Sequence, residues 1–220
     1  MKIRNILGGF VIGVALSFSP QAHADWQANF TMTITKGGES KVESTGVMHA
    51  KKTRIRMDLS TPHALSTIID ITTKKVWNIM PAQKMVMVMD VSHAQIKSPT
   101  CGTQNIDGCL KNLGFKKTGS ETVDGHRCIV YSGSAGARGK EVPVKIWRPT
   151  DLKEVMMVKQ EIQQGPGQTI ETHLTNIKSV PQPASYFTVP AGYRTMDMTG
   201  LMNQMMKSAN PFKGLRPSGN

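Results

Sequence analysis

Met85, Met87 and Met89 stand two residues apart in the stretch KMVMVMD, with Val86 and Val88 between them. Thioether sulfur is a soft donor that suits Cu(I), and it is also a flexible, polarizable filler for surfaces that meet partners of varied shape. Fifteen methionines occur in the 220 residues, so the choice between metal ligand and greasy wall governs much of what the chain can do. On a strand, period two sets the three sulfurs on one face about 6–7 Å apart along the chain, too far to close on one ion without a bend. Others, among them Met32, Met57, Met156 and Met157, are dispersed. Three readings of the row follow, in this order: core packing, a face that accepts a lipid chain or peptide, and Cu(I) ligation.

Little else in the sequence points to chemistry. It contains no G-x-S-x-G elbow, H-E-x-x-H pair, P-loop or dinucleotide-binding glycine fingerprint, and its acidic residues are too scattered to pair for glycoside hydrolysis. His49, His63, His93, His126 and His173 fall on different elements without metal spacing and read as surface or turn histidines. Three cysteines, Cys101, Cys109 and Cys128, form neither a zinc pattern nor a C-x-x-C redox pair. Cys128 lies in an apolar run, where a thiol resists ionisation and makes a poor nucleophile. The chain is therefore expected to be no enzyme and to carry no cofactor and no dedicated metal.

The elements that would position the methionines read as antiparallel strands. In WQANFTMTI, Trp26, Ala28, Phe30, Met32 and Ile34 share one parity, and KGGES then supplies a hairpin turn. In TRIRMDL, Ile55, Met57 and Leu59 take one face while Arg54, Arg56 and Asp58 take the other, a half-buried strand with a basic outer side. LSTIIDI, KKVWNIM and KMVMVMD continue the series. HRCIVY with VPVKIW, and EVMMVKQEI with TIETHLTNI, read as two later hairpins joined by the Gly-rich loops SGSAGARGK and QQGPGQ. Ser92 to Leu113 breaks the alternation and reads as a partly helical excursion over one end of the sheet. PQPASYFTVPAGY is extended and proline-rich. Met198, Leu201, Met202, Met205 and Met206 then recur at helical spacing, a short amphipathic helix placed to act as a lid, before a polar flexible tail. About ten strands and one or two helical pieces predict a mainly β fold, a single curved antiparallel sheet or open barrel.

Composition and targeting set the context. Lys2 and Arg4, an apolar run from Ile6 to Phe18, and Ala22-His23-Ala24 form an export signal, so the mature chain is expected to start at Asp25, with one domain over 25–200 and the helix end and tail over 201–220. The expected location is the periplasm. Without Lys2 and Arg4 the charge balance is about 25 basic against 15 acidic residues, which favours anionic partners. The densest basic run, Lys51, Lys52, Arg54 and Arg56, reads first as a solvated face and lacks interleaved aromatics, so no nucleic acid is expected; if the run has a partner, an anionic envelope lipid or membrane surface suits it best. An oxidising compartment permits a Cys101–Cys109 bridge across a polar loop, and pairing of Cys128 with either remains the alternative.

Two passages, G-x-E-T-V-x-G-x-x-C-x-x-Y from Gly119 to Tyr131 and F-x-V-P-x-G-Y from Phe187 to Tyr193, together with GVMHAKKTRIRMDLS and KKVWNIMPAQKMVMVMD, resemble exported proteins of unknown function related to the LolA/LolB/RseB superfamily. The resemblance spans roughly Trp26 to Met198. It implies a curved half-barrel cupped around helical lids with an apolar concavity, and relatives that carry lipoproteins or glycolipids or sense envelope stress. No specific carrier residue maps onto this chain. Both lines converge on an inner face in which Trp77 or Met80, with Met57, Met85, Met87 and Met89, shelters an acyl chain of a lipid or lipoprotein, while basic rim residues hold the headgroup. A Cu(I) protein and a protein-interaction module binding through a sheet edge stay open.

Overall fold

The computed structural model describes residues 25–60, 64–92, 96–97, 100–137 and 140–200. The expected export signal, His63, His93 and everything from Leu201 onward, with most of the expected amphipathic helix, lie outside them. Thirteen strands of the described residues form one curved, unclosed sheet: β1 (Trp26–Lys36), β2 (Glu39–Lys51), β3 (Arg54–Leu59), β4 (Leu65–Asp70), β5 (Lys75–Met80), β6 (Met85–Asp90), β7 (Ile96–Lys97), β8 (Lys116–Val123), β9 (His126–Ala137), β10 (Lys140–Pro149), β11 (Lys159–Gly165), β12 (Gln168–Ser179) and β13 (Arg194–Asp197). The order is β13-β6-β5-β4-β3-β2-β1-β12-β11-β10-β9, and β9 takes both β7 and β8 on its far edge. The α-helix of the described residues is α1 (Ile106–Asn112). A mainly β, half-barrel architecture is thus the fold.

Two passages differ from the sequence expectation. SGSAGARGK is mostly strand, because β9 runs to Ala137 and β10 resumes at Lys140. Its small residues serve packing: a Cβ on Gly133 would meet the Phe115 ring at 2.7 Å, so only glycine lets that aromatic lie flat on the sheet. EVMMVKQEI, in turn, becomes strand only from Lys159; Val155 and Met157 instead leave the ladder and fill the core. KGGES does turn β1 into β2, with Gly37 and Gly38 at φ +61° and +90°.

The two faces of the sheet are covered differently. Trp26, Ala28, Phe30, Met48 and Ala50 bury against Ile106 and Leu110 of α1, which defines the inner face. The excursion carrying α1 is closed by the Cys101–Cys109 disulfide, and Cys128 is left as a buried free thiol. On the outer face, Ile68, Ile79 and Val86 bury beneath Val189 and Tyr193 of the proline-rich passage, which wraps the sheet as a strap.

Charge fixes that strap. Arg56 Nε donates to both Asp58 carboxylate oxygens (2.7 and 2.9 Å), Nη1 to the Tyr186 carbonyl (2.7 Å) and Nη2 to Ser66 Oγ (3.0 Å). Lys51 Nζ donates to Asp25 (2.8 Å) and to the Gln182 carbonyl (2.6 Å), and His49 Nδ1 lies 2.9 Å from Gln182 Oε1. The basic run expected at a ligand rim is therefore mostly spent on internal pairs on the outer side. Arg54 also pairs, Nε to Asp70 Oδ2 at 3.0 Å.

Burial alone would raise the buried Asp70 carboxyl, but the Thr73 N–H, the Arg54 guanidinium and the Thr72 N–H outweigh it and hold it below the ordinary value of 3.8. A carboxyl with a depressed folded-state pKa contributes stability that is present above its unfolded pKa and is lost as pH falls through the folded value. Asp70→Asn is accordingly expected to destabilise at neutral pH and to match the wild type once pH drops well below 3.8. Urea midpoints measured from pH 7 down to the acid limb check this, and a pH-independent difference would contradict it.

Candidate functional site

The β-ladder registers carry the inner face beyond the part that α1 covers. One cross-strand row runs Met48, Met57, Thr67, Asn78, Met87 and Met196. Beside it lie Ile55, Ile69, Val76 and Met89 on one flank and Leu59, Leu65, Met80 and Met85 on the other. Leu65, Ile69, Val76, Met80, Met85 and Met87 are half-buried and belong to none of the buried core clusters of the described residues. From β4 to β13 the inner face is thus apolar without being packed away. Period-two alternation explains why: the same strands turn Ile68, Ile79 and Val86 outward beneath the strap, so the inward set is free of core duty.

The register chooses between the two candidates of β5. Met80 pairs directly with Met85 on the inner face. Trp77 does not belong there: it pairs with Ile68 and Val88 and packs toward Val189 and Tyr193 on the outer face. The parity of β5 relative to β6 depends on the connecting turn, a 3-10 turn Pro81–Gln83 followed by Lys84 at φ +46°. Met57, Met85, Met87 and Met89 all fall on the inner face as the alternation predicts.

One polar pair interrupts the apolar rows. Thr67 Oγ1 donates to Asn78 Oδ1 at 2.8 Å in the middle of the face. That bond occupies the amide oxygen and leaves the Asn78 NH₂ as a donor. Beyond Met89 and Val76 the face runs into a cavity of ≈ 370 Å³ where the end of the helical excursion meets the sheet, lined by Ile69, Val76, Val91, Thr100 and Leu113 with Lys74 at its mouth. The interior under Trp26, Met48 and Cys101 leaves only ≈ 30 Å³. A ligand the size of an acyl chain therefore has room on the open half and none in the core.

The family described as a domain of unknown function, DUF4412, matches residues 27–159. The chain belongs to the DUF4412 family. The DUF4412 match takes in β1 to β10, hence the methionine row and α1, while β12, the strap and β13 follow it. No curated protein matches the sequence. Solved structures similar to this DUF4412 chain include an uncharacterized conserved protein from Thermus thermophilus at 11% identity, covering 80% of this chain and 91% of that one with a TM-score of 0.49. A DUF1329 family protein from Desulfovibrio piger is 14% identical over 76% of this chain and 91% of its own, with a TM-score of 0.43. A LolA superfamily protein from Nitrosomonas europaea is 11% identical over 77% and 91%, with a TM-score of 0.39.

The remaining sequence candidates of the DUF4412 chain have structural partners. His126 Nδ1 lies 2.7 Å from Asp151, and His173 Nε2 lies 2.6 Å from Asp124. Cys128 donates its S–H to the His126 carbonyl at 3.4 Å, and burial pushes the thiol above its ordinary value, with Asp151 and Glu121 adding to the rise. Among the described residues no cluster of His, Cys, Asp and Glu could hold a metal ion, and no helix is long and apolar enough to cross a membrane. Met196 and Asn78 joined the site without notice from the sequence. RTMD is a four-residue exposed strand whose parallel pairing with β6 comes from the strap's path, and Asn78 stands in an alternation position that apolar counting skips.

Proposed function

We propose that this protein is an exported carrier or binding protein that shelters an acyl chain of a lipid or lipoprotein on the open inner face from β4 to β13. The carrying observation is the register that lines up half-buried Leu65, Ile69, Val76, Met80, Met85 and Met87 on one face outside the packed core, with Met57 at the boundary where the core begins. Each methylene removed from water there contributes about 0.8 kcal/mol, and methionine adapts to chains of different length and branching. The Asn78 NH₂ meets the ester or amide carbonyl of the acyl group, and the chain end lies in the cavity beside Val76 and Leu113.

Titration with a fluorescent long-chain fatty acid and with its methyl ester tests the reading, with saturable binding of both expected and no saturable binding of either contradicting it. Asn78→Leu is expected to cost the methyl ester about fivefold in affinity, one neutral hydrogen bond, while an alkane of equal length binds unchanged. Equal losses for ester and alkane would remove Asn78 from the site.

A further inference from the structure

A second cavity, ≈ 490 Å³, opens on the flank of α1 that faces β8, away from the methionine row, and is lined by Asp107, Lys111, Phe115, Lys116, Lys117 and Tyr131. Its floor is aromatic: Phe115 is 3% and Tyr131 2% exposed. Its rim carries three exposed lysines. Among the described residues none of the three is ion-paired with a carboxylate, in contrast to Lys51, Arg54, Arg56 and Lys159. Lys117 Nζ instead hangs 5.8 Å from the centre of the Tyr131 ring.

The cavity's only acid is already engaged. Asp107 accepts the Tyr131 hydroxyl at 2.5 Å and lies 3.5 Å from Nε of buried Arg148. Burial, then the Asp107 hydrogen bond and charge, push the Tyr131 phenol far above its ordinary value, so it stays a proton donor to that carboxylate. Asp107 thus balances Arg148 and leaves the three ammonium groups uncompensated around a low-dielectric floor, where their attraction for an anion is stronger than in bulk water.

We propose that this α1–β8 cavity is a binding site for a phosphate group, with Lys111, Lys116 and Lys117 as its cationic ligands and Phe115 and Tyr131 as the floor for the organic part of a phosphate ester. The site is independent of the acyl-binding face, and either can exist without the other.

Calorimetric titration of the full mature chain with inorganic phosphate, glycerol 3-phosphate and vesicles of phosphatidylglycerol or phosphatidylcholine tests it. The Lys111→Gln/Lys116→Gln/Lys117→Gln variant is expected to bind the phosphate probes at least tenfold more weakly than the wild type. A control with Lys36, Lys145 and Lys178, all outside the cavity, changed to Gln is expected to bind like the wild type. Binding of glycerol 3-phosphate without preference for phosphatidylglycerol vesicles identifies a free phosphate ester as the ligand; preference for those vesicles, lost in the cavity variant, identifies a lipid headgroup. Equal affinity of wild type and cavity variant, an equal loss in the control, or no binding of any probe by the wild type would overturn the proposal.

Discussion

Met87→Asp is expected to lower affinity for a long-chain acyl ligand about a hundredfold, roughly 2.7 kcal/mol, while leaving the protein folded. Met87 sits at the centre of the open face, between Asn78 and Met196 in the ladder and between Met85 and Met89 along the strand. A carboxylate there must be desolvated by any apolar chain laid across it. In the free protein the same side chain is half-buried and reaches water, so the fold loses little. Met87→Leu, which keeps the apolar surface, is expected to retain binding. Circular dichroism and fluorescence titration of the three proteins check the pair. A folded Met87→Asp protein with wild-type affinity would remove the methionine row from the site.

Gly46→Ala is expected to be the most damaging small substitution, costing about 3 kcal/mol or more. Gly46 of β2 pairs with Phe30 of β1 and Leu59 of β3, and an added Cβ would lie 2.0 Å from the Asp58 carbonyl oxygen and 2.8 Å from Phe30 Cε1. One neighbour is backbone of the adjacent strand and the other is a buried ring, so neither yields cheaply. Relief requires β2 and β3 to part, which also disturbs the Asp58 carboxylate that Arg56 uses to hold the strap. For a chain of this size the loss corresponds to a drop of roughly 10 °C in Tm. Thermal unfolding of the purified variant measures it, and a Tm within a degree or two of the wild type would show that the strands adjust without cost.

The same two residues illustrate what the sequence makes legible. Alternation placed Met57, Met85, Met87 and Met89 on one face because side-chain direction in a strand depends on parity alone. It left Trp77 and Met80 as alternatives because their parity relative to β6 passes through a turn whose length and left-handed Lys84 no periodicity encodes. Gly133 read as part of a loop and Gly46 carried no signal, yet each is the seat of an aromatic ring, Phe30 or Phe115, brought from another element. The run Lys51 to Arg56 read as a solvated face open to anions; Asp58 stands on the same strand face as Arg56, but Asp25 and Asp70 come from other segments, so the neutralisation of Lys51 and Arg54 became visible only in three dimensions. Lys111, Lys116 and Lys117 lie on two different elements, and only the fold shows that they line one cavity.

The central claim, that the inner face from β4 to β13 holds an acyl chain, is tested most directly by native mass spectrometry of the protein purified without detergent, followed by organic extraction and metal analysis. The account predicts a one-to-one adduct that extracts into organic solvent as an acyl-bearing lipid and that disappears in Met87→Asp. A bare polypeptide would contradict it and favour a protein-interaction role, and a stoichiometric copper adduct lost when Met85, Met87 and Met89 become isoleucines would turn the same row into a metal site.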